Sequence, residues 1–390
     1  MIRGNGIAYL DNNATTPPDP QVVEAMVRYL QSEWGNPSSV HCLGQAARAA
    51  VDEARSHVAK LIGCRDFEVT FTGGGTEASN CLLRGLFRIR RPRTKVITST
   101  VEHSATKALC RVLAEGGAQI VTIGVDELGR LDMDALAEAV DDETSFVTTL
   151  WANNETGVIF DAAAIAAICK RHGVPFHCDT TQAIGKIPAD FAAMGIDCAT
   201  LAAHKFHGPK GVGAMFVRRG LRIPALIVGG PQERERRGGT ENVPGIVGMG
   251  EAARVALEHL ADMPRVAEMR DDLERRILSS VPDTRVNGDV ENRLPNTTNI
   301  GFAPLEAEAI LLMLSERNVC ASAGSACSSG SLEASPVLRA MKVPETYAHG
   351  SLRFSLSRMT RPEEIDMAVA VLPEVVSRLR AITPTVPATA

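Results

Sequence analysis

The sequence predicts an α/β protein: a large domain with a mainly parallel seven-stranded sheet covered by helices, and a smaller α+β domain. Three observations predict it. Seven short apolar runs between about 67 and 217 alternate with helical patterns, as in a parallel sheet with crossover helices. After about residue 260 that alternation gives way to helices and strands in mixed order. A chain of 390 residues also exceeds what one small core serves, so one large and one smaller unit is the natural division. The large domain reads as 13–260, and the small one as 1–12 with 261–380. Residues 381–390, ending in TPTVPATA, read as a disordered tail.

The elements follow in order. FEVTF (67–71) is a predicted strand, and TGGGTEASN (72–80) turns from it into a helix. KVITS (95–99) is the next strand, followed by the helix SATKALCRVLAEGG (104–117). AQIVTI (118–123) and SFVTTLWA (145–152) are strands, and DAAAIAAICKRHG (161–173) is a helix with Gly173 at its C′ position. VPFHCD (174–179), ATLAA (199–203) and GAMFV (213–217) complete the sheet. The smaller domain reads as a charged helix (263–280), strand NTTNIGF, helix EAEAILLMLSER, strand SLRFSLS and a helix opening at RPEEIDMAVAVL.

Composition excludes several functions. Lys+Arg 41 against Asp+Glu 46 gives a net charge of −5, without the basic excess that binding a phosphate backbone requires. Nucleic acid is therefore not an expected partner. Nine cysteines, odd in number and scattered without a C-x-x-C pair, argue against a disulfide scaffold or zinc site and for a reducing cytoplasm. MIRGNGIAYLDNNATT lacks the apolar stretch of an export signal, and no run reaches the roughly 18 apolar residues of a membrane span. No membrane association is expected.

The chemistry concentrates at strand ends. Lys205 follows the apolar run CATLAA and precedes the turn-rich HGPKGVG. An amine at the end of a core strand is desolvated and its pKa lowered, as Schiff-base chemistry needs. About 25 residues upstream, VPF runs into His177, Cys178 and Asp179. Pyridoxal phosphate requires both a lysine for its aldehyde and a carboxylate for its pyridinium nitrogen. The Gly-rich turn before Thr76 lets the amides of Gly75 and Thr76 point at a phosphate on a helix N-terminus.

Four further positions extend this set. His103, after KVITS, is placed to stack on a planar cofactor and shuttle protons, or simply to cap a helix. Asn154, in WANNETG, is a candidate for the cofactor's phenolic oxygen or a substrate carboxylate. Arg353, inside an apolar strand, needs a buried partner: a substrate carboxylate or an internal Asp or Glu. Cys327 sits mid-way in CASAGSACSSGSLEAS (320–335), a Gly/Ser/Ala stretch expected to be mobile. There a thiolate can be presented, whereas Cys320 reads as a packed small hydrophobe. ERERRGGTEN (233–242) reads as a solvated charge run whose Gly-Gly-Thr ending offers another anion contact.

These segments together resemble the cysteine desulfurases of the NifS/IscS type, among fold-type I pyridoxal-phosphate enzymes. DNNATT, GNPSSVH, GGTE, EH, NNETG, CDTTQAIGK, AHKFHGPKG, RRGGTEN, SAGSACSSG and HGSLRFSLS occur in family order over nearly the whole chain. RLPNTTNI, ERERRGGTEN and ACSSGSLEASPVLRAM are similar to the nitrogen-fixation NifS subgroup. The resemblance implies conversion of L-cysteine to L-alanine, with sulfur passing as a persulfide on Cys327 to an iron–sulfur scaffold or another acceptor protein. Cys327 is then also a candidate transient iron–sulfur ligand.

The implied roles are Schiff-base formation and Cα proton movement for Lys205, and ring stacking for His103. Asp179 pairs the ring nitrogen and Gln182 its phenolic oxygen. Gly75, Thr76 and His204 bind the phosphate, with Thr240 reaching it from the other subunit of a homodimer. Asn154 and Arg353 hold the substrate carboxylate. One departure stands out: many relatives carry Ser where this chain has Ala202, removing one phosphate contact. The alternatives are a related aminotransferase or selenocysteine lyase and a non-enzymatic scaffold. An aminotransferase has no need of Cys327, and a scaffold no need of Lys205 and Asp179.

Overall fold

The computed structural model describes residues 6–323 and 334–382. The N-terminal strand β1 (Ala8–Tyr9) precedes seven strands of one sheet: β2 (Val69–Thr72), β3 (Lys95–Ser99), β4 (Gln119–Ile123), β5 (Thr144–Leu150), β6 (Phe176–Asp179), β7 (Cys198–Ala202) and β8 (Gly213–Val217). Their spatial order is β2-β8-β7-β6-β5-β3-β4. Only β8 runs antiparallel to its neighbours, so the sheet is mainly parallel, as the alternation predicts.

Adjacent residues on each strand serve opposite faces. Val96, Phe146 and Met215 pack with Leu82 and Leu86 of helix Gly75–Ile89 and with Leu109 of helix Ser104–Glu115. Their neighbours Ile97, Val147 and Phe216 face the main core, with Ile165 of helix Ala162–Arg171 and Val51 of helix Cys42–Leu61. Helices on both sides exclude water from the sheet and leave the strand ends as the place for ligands.

The second unit has its own sheet, ordered β12-β13-β10-β9. Its strands are β9 (Thr284–Val286), β10 (Thr297–Phe302), β12 (Ser322–Ala323) and β13 (Ser351–Ser355), while β11 (Val319–Cys320) pairs with β1. Leu273 and Ile277 of helix Met263–Ser280 pack with Leu372 and Val376 of helix Pro362–Ile382, and Ala8 and Leu10 join that core. The N-terminal segment then crosses to the large sheet. Asn12 N–H donates to the Ser355 carbonyl, and Thr16 N–H to that of His204.

Several expectations change. The strand starts at Val69 because 66–68 form a single helical turn, closed by the Glu68 carboxylate on the Arg65 amide. Residues 381 and 382 end a helix instead of opening a tail, and the rest of the expected tail lies outside the described residues. The mobile stretch narrows too: Cys320, Ser322 and Ala323 are in strands, and Ser335 caps helix Pro336–Ala340. Cys327 lies outside the described residues.

The charge run at 233–242 is not solvated throughout. Glu233 is buried in a two-toothed ion pair with Arg55 at 2.8 Å and accepts the Phe71 amide. These contacts hold Glu233, Arg234 and Glu235 in left-handed backbone that such residues seldom adopt.

Candidate active site

A cavity of about 190 Å³ opens at the carboxyl ends of β5, β6 and β7. Its wall gathers Gly75, Thr76, His103, Asn154, Asp179, Gln182, His204 and Lys205. Eight positions expected from sequence, spread from 75 to 205, thus meet at one site. Arg353 and Thr240 are not part of that wall.

One end of the cavity is built for an anion. The 15-residue helix Gly75–Ile89 begins here with Gly74 at its N-cap and no side chain capping it. Gly74 has φ +150°, and the helix dipole adds positive potential to the first-turn amides. Gly213 allows this turn to lie on β8, since a Cβ there would stand 2.7 Å from the Gly74 carbonyl carbon. Ala202 faces the same end: its Cβ would be 3.4 Å from a side chain placed on Gly75. A serine hydroxyl at 202 would add a donor there; without it, the first-turn amides and His204 are among the lining groups able to meet an anion.

Burial and the nearby Lys205, Lys210 and Lys186 push His204 down to about 4, leaving it neutral at physiological pH, with Nδ1 on the Thr15 hydroxyl at 3.2 Å.

The other components lie along the strand ends. Asp179 closes β6, is 9% exposed, and takes the Thr181 amide on Oδ1 at 3.1 Å. Lys205 ends the helical turn that follows β7. Its Nζ donates to the carbonyls of Asn13 at 2.6 Å and Ala14 at 2.9 Å. The amine is only partly buried, so its environment is a mouth of the cavity more than a core. His103 takes the capping role that is one of its sequence readings. Its Nδ1 caps helix Ser104–Glu115 by accepting the Ala105 amide, while the ring lines the cavity.

The arrangement fits pyridoxal phosphate: an uncapped helix N-terminus for the phosphate, an amine for the aldehyde, a carboxylate for the ring nitrogen and an imidazole beside the ring. Gln182 presently spends one N–H on the Asn13 carbonyl, at 3.0 Å. A carboxamide has a second N–H, which leaves it able to serve a ligand oxygen.

Arg353 realises the second of its sequence alternatives. Nη2 pairs with Asp11 at 2.7 Å and Nη1 donates to the Asn154 carbonyl, while Nε is buried without a partner among the described residues. Thr240 is exposed beside a different cleft of about 280 Å³, with Gly73 and Arg237.

Three residues escaped sequence reasoning. Glu102 is pushed up to about 8 by burial, against the pull of the Ser99 hydroxyl and the Leu150 amide on its Oε1. Asn13 is 1% exposed and uses its amide, carbonyl and both side-chain polar atoms. Lys186, also buried, donates to Asn13 Oδ1 and Gln182 Oε1. The available signals were DNNATT and a lysine stranded in the apolar run AIGKIP. Among the described residues all cysteines are free and no group of side chains makes a metal site. No described helix is long and apolar enough to cross a membrane.

Comparison with known proteins places this geometry in context. The aminotransferase class-V model matches residues 8–367. A cysteine desulfurase of Trichormus azollae is 48% identical over 379 residues, covering 97% of this chain and 95% of the relative. One from Enterobacter agglomerans is 48% identical over 377 residues, covering 96% and 94%. A solved NifS-like protein superposes with a TM-score of 0.90 at 34% identity, covering 96% of this chain and all of the other. A second, SspA in complex with cysteine, gives a TM-score of 0.80 at 32% identity, covering 90% and 98%.

Proposed function

The chain belongs to the aminotransferase class-V family, and on that premise we propose that it is a pyridoxal-phosphate-dependent cysteine desulfurase, with L-cysteine as substrate and L-alanine as product. The observation that supports the reading most directly is the meeting of Lys205, Asp179, His103 and the uncapped helix N-terminus around one cavity.

When bound, the cofactor supplies an electron sink that labilises the substrate's Cα proton and loosens its carbon–sulfur bond. The chain's residues do the rest. Lys205 supplies the amine that holds the cofactor and then moves the Cα proton. Asp179 keeps the ring nitrogen protonated, and the Gly75 and Thr76 amides with His204 hold the phosphate. Asn154 and Arg353 receive the substrate carboxylate. For this Arg353 exchanges part of its bonding to Asp11 and the Asn154 carbonyl. The Cys327 thiolate attacks the substrate sulfur. In sum, cysteine and a thiol become alanine and a persulfide, with no external oxidant or reductant. The persulfide then passes to an acceptor protein such as an iron–sulfur scaffold, where Cys327 serves as a transient ligand.

A homodimer in the cytoplasm, with Thr240 reaching the partner's phosphate, completes the reading. The exposed apolar side chains Leu30, Trp34, Val40 and Val228 are the kind of surface such an interface covers. The NifS-like segments suggest supply to nitrogen fixation. The selenocysteine lyase and aminotransferase alternatives share Lys205 and Asp179 but give no role to Cys327.

The test separates the two halves of the reaction. Lys205→Ala should abolish alanine formation, and borohydride should no longer trap cofactor mass on the chain. Cys327→Ser should still bind cysteine at the cofactor while alanine and persulfide production collapse, because a hydroxyl is a poor nucleophile at neutral pH. Cys320→Ser should keep most activity: burial raises that thiol's pKa, and its strand pairs with β1. An active Cys327→Ser beside a dead Cys320→Ser would reverse the assignment.

A further inference from the structure

Lys186 is a lysine where the fold has no evident use for one. It lies on the turn after β6, is 6% exposed, and has no ion pair among the described residues. Its Nζ has two acceptors: Gln182 Oε1 at 2.9 Å and Asn13 Oδ1 at 3.2 Å. Both are neutral amide oxygens. The charged groups bearing on it are Lys205 and Arg353, both cationic. An ammonium has three N–H groups and would leave one buried and unmet. An uncharged amine has two, and two acceptors are present. Burial, reinforced by Lys205 and Arg353, accordingly pulls its pKa well below the ordinary lysine value.

A donor to an amide oxygen decides which way the amide faces. With its oxygen on Lys186, the Gln182 carboxamide must turn its NH₂ the other way. One N–H then meets the Asn13 carbonyl at 3.0 Å, the same carbonyl that receives Lys205 at 2.6 Å. The second N–H is left for the cavity that Gln182 lines. Asn13 is in turn held by Asn296 on Oδ1 and by the Thr297 hydroxyl and Asn154 carbonyl on Nδ2. Lys186 is thus clamped at one end and directs Gln182 at the other.

We propose that Lys186 is a positioning residue of the active site, an uncharged buried donor that orients the Gln182 carboxamide toward the cofactor and toward the carbonyl that seats Lys205. The inference rests on the reading of Lys205 as the cofactor-bearing amine. Its role requires an N–H donor and excludes a fixed charge. Arginine at 186 therefore fails because its guanidinium is always charged, whereas glutamine, uncharged and with two N–H groups, serves.

The test measures how fast the full-length protein, stripped of cofactor, captures pyridoxal 5′-phosphate on Lys205. Borohydride trapping and peptide mass give the rate and the site. Lys186→Met and Lys186→Arg should each slow capture about tenfold with the fold intact by circular dichroism, and Lys186→Gln should stay within about threefold of the unaltered protein. In the Gln182→Ala background, Lys186→Met should cost less than twofold more, since the two act as one unit. Capture by Lys186→Met at the unaltered rate, rescue by arginine, or fully additive losses in the double variant would each overturn the proposal. If Lys186→Met does not fold, a tenfold loss in Lys186→Gln overturns it alone. Failure of the unaltered protein to capture cofactor on Lys205 would instead overturn the assignment of Lys205.

Discussion

Asp179 and Glu102 are carboxyl groups at the end of β6 and beyond the end of β3, on either side of β5, under opposite demands. Asp179 borders the cavity and is available to a cationic ring, whereas Glu102 is sealed away from it, with Oε2 unbonded among the described residues. Glu102 keeps its proton up to about pH 8, against an ordinary value of 4.5. Between those limits the unfolded chain has released a proton that the folded chain retains, so this group's contribution to stability declines as pH rises. Glu102→Gln, always neutral, should gain on the unaltered protein by about 1–3 kcal/mol between pH 5 and pH 8 in denaturant unfolding of the apoprotein. A constant difference across that range would mean that Glu102 is ionised in the fold. Lys205 and Asp179 were legible in the sequence because each ends a short apolar run, which marks a strand end by itself. Lys186, Asn13 and Glu102 were not. Their meaning lies in partners such as Asn13 for Lys186, 173 positions apart, and no local pattern encodes such a pairing.

At the scale of elements, the anion end depends on a glycine outside the Gly-rich turn. Gly213 opens β8, and any Cβ there meets the Leu201 carbonyl oxygen at 2.5 Å as well as the Gly74 backbone. Neither neighbour is a flexible side-chain tip, so the turn itself must move. Gly213→Ala should weaken cofactor retention at least tenfold and lower stability by about 1–3 kcal/mol, both measurable by equilibrium dialysis and denaturant unfolding. Unchanged retention would show that the turn's position is not set by β8. KVITS and GAMFV match β3 and β8 residue for residue because apolar β-branched and aromatic runs between polar turns have one reading. The segment 233–235 was misread for the opposite reason. Four charges in ERER look solvated until Arg55, 178 residues away, removes one of them from water.

At the scale of the whole molecule, the first described residues help to join the two units. The stretch from Ala8 to Asp19 starts in the second core and ends on the large sheet, with ion pairs Asp11–Arg353 and Asp19–Arg358 tying it in place. Thr240 belongs to this scale, since its own chain's cavity does not include it. In the homodimer proposed above, pairing a Lys205→Ala chain with a Thr240→Val chain gives one site with intact Lys205 and, from the other chain, intact Thr240. This heterodimer should recover about half the activity of the unaltered dimer, whereas each variant homodimer is impaired at both sites. No recovery would place Thr240 in its own chain's site, and an unimpaired Thr240→Val homodimer would place it outside both.

The two carbonyls that seat Lys205 belong to Asn13 and Ala14, and the Asn13 amide is pinned by the Ser355 hydroxyl. The first part of the site to be synthesised therefore waits for nearly the last. A chain still on the ribosome has Lys205 and the whole large sheet long before β13 emerges, and domains otherwise fold as they appear. Seating of Lys205 becomes a late event in the life of the polypeptide. Prematurely terminated chains lacking β13 would lack the Ser355 hydroxyl that pins Asn13, and so would leave the carbonyls that receive Lys205 unfixed.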